Sequence, residues 1–398
     1  MMNQQTKIRT SSDFVQDPYS FYDNIRSTNP IYKGNFFRYP GWYVTGYEEA
    51  NLILKDIRFQ NRIPLPETTK KYEVLKNVQK QMMLYKNQPD HNRLRKIVSE
   101  RFTPRALEQL NPIIKKTAND LFQHVANQKR MNVISDFAFP LASLVIANML
   151  GVPKQEKDQF RQWALTLIQT IDHTRSKESL AKGNDTIIEM VTYFQHLINK
   201  RKQDPQDDLI SLLISDVQNG EPLTDAETVS TCILLVIAGH ETTVNLIANS
   251  VYCFLTHPTQ YEKLQANPLL LDSAIEEILR YESPTQMTAR IAAEDVTINQ
   301  TEIKKGDHVY ILIGAANRDP KQFINANSLD ITRNPNPHLS FGSGIHFCLG
   351  ATLAKIEAQA AIKTILDHTQ KIRFETAEIE WRNLVGFRAL KELPIIFE

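Results

Sequence analysis

Hydrophobic side chains recur at helical spacing through most of the chain, and this pattern sets the expected architecture. Apolar residues at positions i, i+3, i+4 and i+7 form one face of an α-helix. The stretches with this spacing are 89–101, 106–126, 135–150, 154–171, 180–201, 224–256, 269–281 and 349–366. The chain is therefore predicted to be mainly α-helical.

Shorter segments near both ends have a different pattern. Residues 31–37 and 42–45 are strand-like and are separated by Pro40 and Gly41, while 20–27 and 47–55 are predicted as short helices. After Ser283 the pattern shortens to strand-like pieces, then to a stretch rich in Asn and Pro, and three short strands are expected to close the chain. No repeat or Gly/Ser-rich linker divides the sequence, so we predict one domain over 1–398 with a smaller β-rich region.

The longest helical pattern begins at Thr224. Thr224 and Glu227 have the spacing of a capping box, and Pro258 prevents the helix from continuing. Thirty-two residues at 1.5 Å each give a rod of about 48 Å. A rod of this length and hydrophobicity is expected to run through the centre of the molecule.

Composition narrows the class of protein. The 46 Lys and Arg residues nearly balance the 45 Asp and Glu residues, which disfavours a nucleic-acid partner. The three Cys residues indicate no disulfide framework and suggest a reducing compartment. The first fifteen residues are polar, and the longest uninterrupted apolar run, 232–238, is too short to span a bilayer. We therefore expect a cytoplasmic protein without a membrane anchor.

The middle of the long helix carries the first candidate site. An apolar run ends there in Ala238, Gly239, His240, Glu241 and Thr242. Glycine inside a helix costs about 1 kcal/mol relative to alanine, and an unpaired buried carboxylate costs several more. The interruption therefore indicates either a functional site or a polar patch that faces water.

The second candidate site is a glycine-rich loop at 341–350, directly before a helical stretch. Gly342 and Gly344 permit positive φ and the close approach of a flat ligand to the backbone. Cys348 lies where free N–H groups and the helix dipole favour a thiolate. Such a thiolate is a metal ligand or a nucleophile, and with His346 as its base it would suggest a thiol hydrolase.

Together these residues resemble the cytochrome P450 superfamily. The loop matches the haem-thiolate signature Phe-Gly-x-Gly-x-His-x-Cys-x-Gly, and the run 238–242 matches the family's central-helix motif. Glu277, Arg280 and Arg333 follow in the family's order and resemble its structural ion-pair triad. The resemblance covers essentially the whole chain and implies a mainly α fold of cytochrome P450 type with haem b as cofactor.

The resemblance also implies roles for single residues. Cys348 would be the iron ligand, which pushes electron density toward bound dioxygen. Glu241 and Thr242 would be the acid–alcohol pair that delivers protons, and the small Ala238 and Gly239 would leave space for oxygen. The remaining haem-binding positions are Phe341, Gly342 and Gly350 in the loop, with His91, Arg95, Arg290 and His346 as partners of the propionates.

The substrate is inferred from more limited similarity. Family pockets are lined by segments that correspond here to 64–84, 165–171, 284–289 and 384–387, and the substrate-contacting residues are predicted as Leu235, Ala238, Met287 and Val385. Stretches beginning at Tyr39, Ser135, Ala238 and Tyr281 are similar to family members of bacterial biotin biosynthesis. This similarity implies in-chain oxidation of a long fatty acyl group on acyl carrier protein, with C–C cleavage to a pimeloyl thioester.

Other functions remain open on sequence grounds. The alternatives within the family are a free fatty-acid hydroxylase and a polyketide or macrolide hydroxylase, and a haem-binding sensor or carrier would need no proton relay.

A flavodoxin or ferredoxin is the expected electron donor, because an acidic partner would meet a basic face. The candidates for that face are Lys86, Arg93, Lys96, Arg101, Arg105 and Lys355. The candidates for carrier-protein docking are Arg62, Lys70, Lys71, Arg175, Lys177 and Lys182.

Overall fold

The structure is a computed structural model, and it describes residues 11–36, 39–65, 70–215 and 223–398. Part of three sequence predictions lies outside the described residues. These parts are 1–10 of the polar N-terminal segment, residue 37 of the first predicted strand and 66–69 of the predicted pocket-lining stretch.

Helices account for most of the described residues, which confirms the predicted mainly α class. The first seven are α1 Ser11–Gln16, α2 Pro18–Thr28, α3 Tyr47–Lys55, α4 Glu73–Gln81, α5 Asp90–Ser99, α6 Pro104–Ala126 and α7 Phe139–Leu150. The others are α8 Lys157–Ile171, α9 Lys177–Gln203, α10 Leu209–Ile214, α11 Asp225–Thr256, α12 Pro258–Ala266, α13 Leu271–Tyr281, α14 Ile313–Ala316 and α15 Ala351–His368.

The strands form two small sheets and a hairpin. They are β1 Ile31–Phe36, β2 Tyr39–Val44, β3 Phe59–Gln60, β4 Arg130–Asn132, β5 Met287–Ala292, β6 Val296–Ile298, β7 Thr301–Ile303, β8 His308–Leu312, β9 Ile372–Phe374 and β10 Pro394–Phe397. The larger sheet has the order β1-β2-β8-β5-β3, with β2 and β8 parallel and the other pairs antiparallel. The second sheet has the order β4-β10-β9, and β6 pairs with β7.

The helix α11 is the central rod that the sequence predicts. Thr224 accepts a hydrogen bond from the Glu227 backbone, and the Glu227 side chain accepts one from the Thr224 backbone, so the capping box is present. The helix packs against α7, α8, α9 and α15. Most of its side chains are buried, and its few open positions therefore mark a cavity in the core.

The predicted elements differ from the structure mainly at their ends. The predicted helix 135–150 begins with a π-helical turn, Val133–Ala138, before α7 starts at Phe139. The helix predicted to begin at 349 begins instead at Ala351, after the glycine loop. The helices α4 and α12 were not predicted, and among the described residues the chain closes with two strands and isolated bridges.

Two helical segments correct the expectation that no apolar stretch is long enough to cross a membrane. By length and hydropathy alone, Val133–Leu150 and Asp225–Thr256 would suffice. However, 67% of the first segment's most apolar window and 78% of the second's are buried inside the protein. Their hydrophobicity is therefore explained by packing in the core.

Candidate functional site

An open stripe interrupts the buried surface of α11. Ala238 is exposed, and Leu235, Gly239 and Thr242 are half-buried, although the helix around them is almost completely buried. These four positions are spaced i, i+3, i+4 and i+7, so they share one face of the helix. The stripe therefore lines a cavity, and the alternative of a polar patch on the outer surface is wrong because Glu241 is only 3% exposed.

Thr242 faces this cavity with a fixed hydroxyl group. Its Oγ1 donates a hydrogen bond to the Ala238 carbonyl at 2.6 Å. Because the hydroxyl has one proton and that proton is engaged, the oxygen presents lone pairs to the cavity. In the resting protein Thr242 is thus placed to accept a further hydrogen bond.

The structure shows a packing reason for Gly239. A Cβ at this position would collide with the Ile146 side chain on α7, with Cγ1 at 2.7 Å. The missing side chain therefore lets α7 pack closely against α11. Ala238 is the small residue that opens onto the cavity.

The glycine loop adopts the conformation that its sequence predicts. Gly342 and Gly344 have φ of 72° and 71°, the left-handed region that favours glycine. A Cβ on Gly344 would lie 2.6 Å from the Leu54 carbonyl oxygen, so this glycine allows close approach of α3. The Cys348 N–H donates to the Phe341 carbonyl at 2.8 Å and closes the loop.

Cys348 lies just before α15 and is exposed to the cavity, whereas the other two cysteines are buried. Although the side chain borders open space, it lies deep within the protein, and this burial raises the pKa of the thiol. The Gly350 N–H and the nearby Arg95 guanidinium act in the opposite direction and lower that pKa. These two groups thus favour the thiolate, and the desolvation of its charge opposes it. A bound metal cation would offset that desolvation.

Four basic residues converge beside the loop. The rings of His91 and His346 are 4.2 Å apart, and the charges of Arg95 and Arg290 act on His346. Burial, followed by Arg290, His91 and Arg95, lowers the pKa of His346 to about 3, and burial lowers the pKa of Arg290 to about 10. Within the described part of the chain, none of the four forms an ion pair with a carboxylate. The two guanidinium groups of this cluster therefore offer a site for an anionic ligand.

The predicted ion-pair triad is present behind the loop. Arg280 donates two hydrogen bonds of 2.8 Å to Glu277, and both side chains are completely buried. Arg333 reaches the same carboxylate at 3.0 Å and 3.1 Å. The backbone carbonyl of Asn317 accepts a hydrogen bond from Arg280. The Asn317 side chain accepts a hydrogen bond from the Leu339 N–H and donates one to Ser340. The triad therefore supports the segment that leads into the glycine loop.

Comparison with known proteins agrees with this arrangement. A family model for cytochrome P450 matches residues 145–376. The chain belongs to the cytochrome P450 family. It is 56% identical over 388 residues to the biotin biosynthesis cytochrome P450 of Bacillus subtilis, covering 98% of both chains. It is 38% identical to the polyketide biosynthesis cytochrome P450 PksS of the same species, covering 96% of both.

A solved structure shows the same fold. The crystal structure of P450BioI in complex with hexadec-9Z-enoic acid ligated acyl carrier protein superposes with a TM-score of 0.95 at 57% identity. The match covers 98% of this chain and 100% of that one. The enzyme is therefore a cytochrome P450 monooxygenase with haem b as its cofactor, as the sequence resemblance implies.

The residues present fit haem. The exposed thiol of Cys348 can supply one iron ligand, the two guanidinium groups without carboxylate partners, Arg95 and Arg290, match the two propionates, and the open stripe of α11 leaves room for a flat ring. When bound, haem supplies the activation of dioxygen. The thiol-hydrolase alternative is wrong, since the chain belongs to the cytochrome P450 family.

The predicted substrate-contacting residues are placed differently from one another. Leu235 and Ala238 lie on the open stripe, but Met287 is 6% exposed and Val385 only 1% exposed, both within the core. In the turn 384–387 it is Phe387 that is half-buried and packs on the same apolar cluster as Leu235.

One contact of the site was not predicted at all. Arg382, in the C-terminal segment, forms an ion pair with Glu241. The two residues are 141 positions apart, and nothing in the local sequence pairs them.

Proposed function

We propose that this cytochrome P450 oxidises a long fatty acyl chain carried on acyl carrier protein, in mid-chain, and cleaves it to a pimeloyl thioester for biotin biosynthesis in the cytoplasm. The observation that carries the proposal is the 56% identity over nearly the whole chain to the Bacillus subtilis biotin biosynthesis enzyme. The superposition on the complex with acylated carrier protein supports the same substrate class.

An apolar cluster offers the surface that a long hydrocarbon requires. It is built around α4, α8, α9 and α11, and it is largely aliphatic. Five of its half-buried members lie at positions that the sequence assigns to the pocket: Tyr72, Val74, Ile171, Leu235 and Phe387. Each buried methylene of an acyl chain contributes about 0.8 kcal/mol, so a chain of this length can be held by such contacts alone.

The basic residues proposed for carrier-protein docking come from two segments that the structure joins. Tyr72 Oη donates to the Lys177 carbonyl at 3.1 Å, and Arg175 donates to the Pro64 carbonyl at 3.1 Å. Most of the proposed residues have exposed side chains, with Arg175 half-buried: Arg62, Lys70, Lys71, Arg175, Lys177 and Lys182. An acidic carrier would thus meet positive charge contributed by both segments.

An external donor, a flavodoxin or ferredoxin, is proposed to supply the electrons. Ion pairs within the chain reduce the number of basic residues that could bind this donor. Lys86, Arg93, Arg101 and Lys355 are each engaged with a carboxylate of this chain. Lys96 and Arg105 are exposed, and no ion pair of theirs is found in the described part of the chain, so they are the stronger candidates.

Within the site, Thr242 and Glu241 are proposed as the acid–alcohol pair. Thr242 faces the cavity and can accept a hydrogen bond there, while Glu241 lies beside it on the helix. Proton delivery by positioned groups of this kind accelerates reactions by about 10²- to 10⁴-fold. Cys348, His91, Arg95, Arg290 and His346 are proposed to hold the haem.

The test is oxidation of hexadecanoyl acyl carrier protein, followed by mass spectrometry of the released acyl groups. The proposal predicts in-chain diols and a seven-carbon dicarboxylic fragment that remains bound to the carrier. Products hydroxylated without cleavage, or equal turnover of the free fatty acid, would contradict it.

Charge reversal tests the docking surface in the same assay. The double variant Lys70→Glu and Lys71→Glu should raise KM for the acylated carrier and leave kcat nearly unchanged, because it weakens encounter and not chemistry. Lys115→Glu, an equally exposed change on α6, is the matched control. Equal KM for both variants would remove this surface from the proposal.

A further inference from the structure

Glu241 does not point into the cavity that its neighbour Thr242 lines. Successive residues of an α-helix are separated by about 100° around the axis, which places Glu241 beside the edge of the open stripe next to Ala238. Its side chain is 3% exposed and pairs with Arg382. In the described part of the chain its other polar contact is Asn245 Nδ2, at 3.4 Å from Oε1.

Arg382 is held firmly in place by its own segment. Its N–H donates to the Ala389 carbonyl at 2.8 Å, and its carbonyl accepts from Leu384 at 2.7 Å. Next to it, Trp381 forms a bridge with Leu390 and packs under the Arg388 guanidinium at 3.3 Å. The guanidinium therefore approaches α11 from a fixed backbone.

The other side of Arg382 faces water. Its side chain is 20% exposed and borders an open cleft of about 340 Å³, which is also lined by Gln169, Thr174 and Lys391. Arg382 is thus the element that separates a buried carboxylate from a solvent-filled cleft. The neighbouring residue His240 is buried, and its Nδ1 lies against the Val236 carbonyl. His240 therefore takes no part in the contact between Glu241 and Arg382.

We propose that Arg382 is the positioning residue of the proton relay and that its cleft is where protons enter. Hydroxylation consumes two protons and two electrons: RH + O₂ + 2e⁻ + 2H⁺ gives ROH + H₂O. Without productive delivery, O₂ + 2e⁻ + 2H⁺ gives H₂O₂ and no product. Arg382 holds the Glu241 carboxylate turned toward the cleft, where Glu241 takes up a proton from water before it serves Thr242.

This inference rests on the proposed role of Glu241 and not on the identity of the acyl substrate. The test compares the holoenzyme with the variants Arg382→Ala, Arg382→Lys and Glu241→Gln. The readouts are product formed per electron pair, hydrogen peroxide released and the solvent isotope effect on turnover. Arg382→Ala should lower the product yield about tenfold and raise the isotope effect, since general acid–base groups contribute about 10²- to 10⁴-fold.

Two further measurements separate positioning from mere support of the fold. Because the cleft is open, added methylguanidinium should restore the coupling of Arg382→Ala, and tetramethylammonium should not. Arg382→Lys should retain most of the yield because it keeps the cation. Lys391→Ala is the matched control, since Lys391 borders the same cleft but pairs with Glu380.

Infrared difference spectroscopy gives a readout that is independent of turnover. The stretching frequency of a carboxylate depends on its hydrogen-bond partners. The Glu241 band, assigned with Glu241→Gln, should therefore shift in Arg382→Ala, which removes the paired guanidinium. The band should not move in Lys391→Ala.

The outcomes are distinguishable. If Glu241→Gln leaves coupling unchanged, the proposed role of Glu241 is wrong and the inference falls with it. If Glu241→Gln uncouples the enzyme but Arg382→Ala does not, or if methylguanidinium fails to rescue Arg382→Ala, Arg382 is not the positioning residue. An unmoved infrared band in Arg382→Ala would overturn the claim that Arg382 positions the Glu241 carboxylate.

Discussion

Replacing Glu277 by glutamine should destabilise the protein strongly, because Glu277 is the shared acceptor of a buried network. Its carboxylate receives hydrogen bonds from Arg280, Arg333, Asn336 Nδ2 and the Asp330 backbone. The amide would keep one acceptor and remove the negative charge, which leaves the completely buried Arg280 without compensation.

The magnitude follows from that burial. Removing one partner of a buried ion pair costs about 3–5 kcal/mol. The unfolding entropy is about 2.1 cal/mol/K per residue. For a chain of 398 residues, the free energy of unfolding therefore falls by about 0.8 kcal/mol per kelvin near Tm. Glu277→Gln should therefore lower Tm by about 4–6 °C.

The measurement is thermal unfolding followed by circular dichroism, with haem content determined on the same samples. Haem occupancy should fall as well, because the network supports the segment that leads to Cys348. Glu178→Gln is the matched control, since Glu178 pairs with Lys182 on the surface and its loss should leave Tm unchanged. A Glu277→Gln protein with the same Tm and haem content as the parent would refute the reasoning.

Three further predictions concern α11. Thr242→Ala should lower the product formed per electron pair severalfold and release hydrogen peroxide instead, whereas Thr242→Ser should keep the parent yield. Burial lowers the pKa of His240 to about 4, below the unfolded value near 6.5, so the unfolded state binds more protons between these values. Stability should therefore be complete above pH 6.5 and fall by about 2 kcal/mol by pH 5 in urea titrations, less so in His240→Gln. Gly239→Val should lower Tm through its collision with Ile146, which Ile146→Ala should partly relieve; no change in Tm would contradict this packing role.

Local chemistry explains which parts of the fold were predictable from the sequence. The beginning of α11 follows from two side chains three residues apart, and the positive φ of Gly342 and Gly344 follows from the absence of a Cβ. In each case the determining interaction lies within a few residues of its signal. The same holds for Cys348, whose place before α15 is fixed by the short loop that precedes it.

The parts that were missed depend on contacts between distant segments. The reason for Gly239 lies on another helix, at Ile146, and the partner of Glu241 lies 141 residues away in an irregular segment. Val385 was assigned to the pocket from the family resemblance, but it is buried in the core, and in the same turn Phe387 is half-buried against the apolar cluster. Such choices are made by packing, which the periodicity of one segment does not encode.

The central claim is that the Cys348 thiolate binds the haem iron, and the spectrum of the reduced enzyme under carbon monoxide tests it most directly. We expect the strongly red-shifted Soret band of thiolate ligation for the parent protein. That band should be lost in Cys348→Ala and retained in Cys232→Ala, in which a core cysteine is replaced. A parent spectrum without the band, or a Cys348→Ala protein that keeps it, would contradict the account.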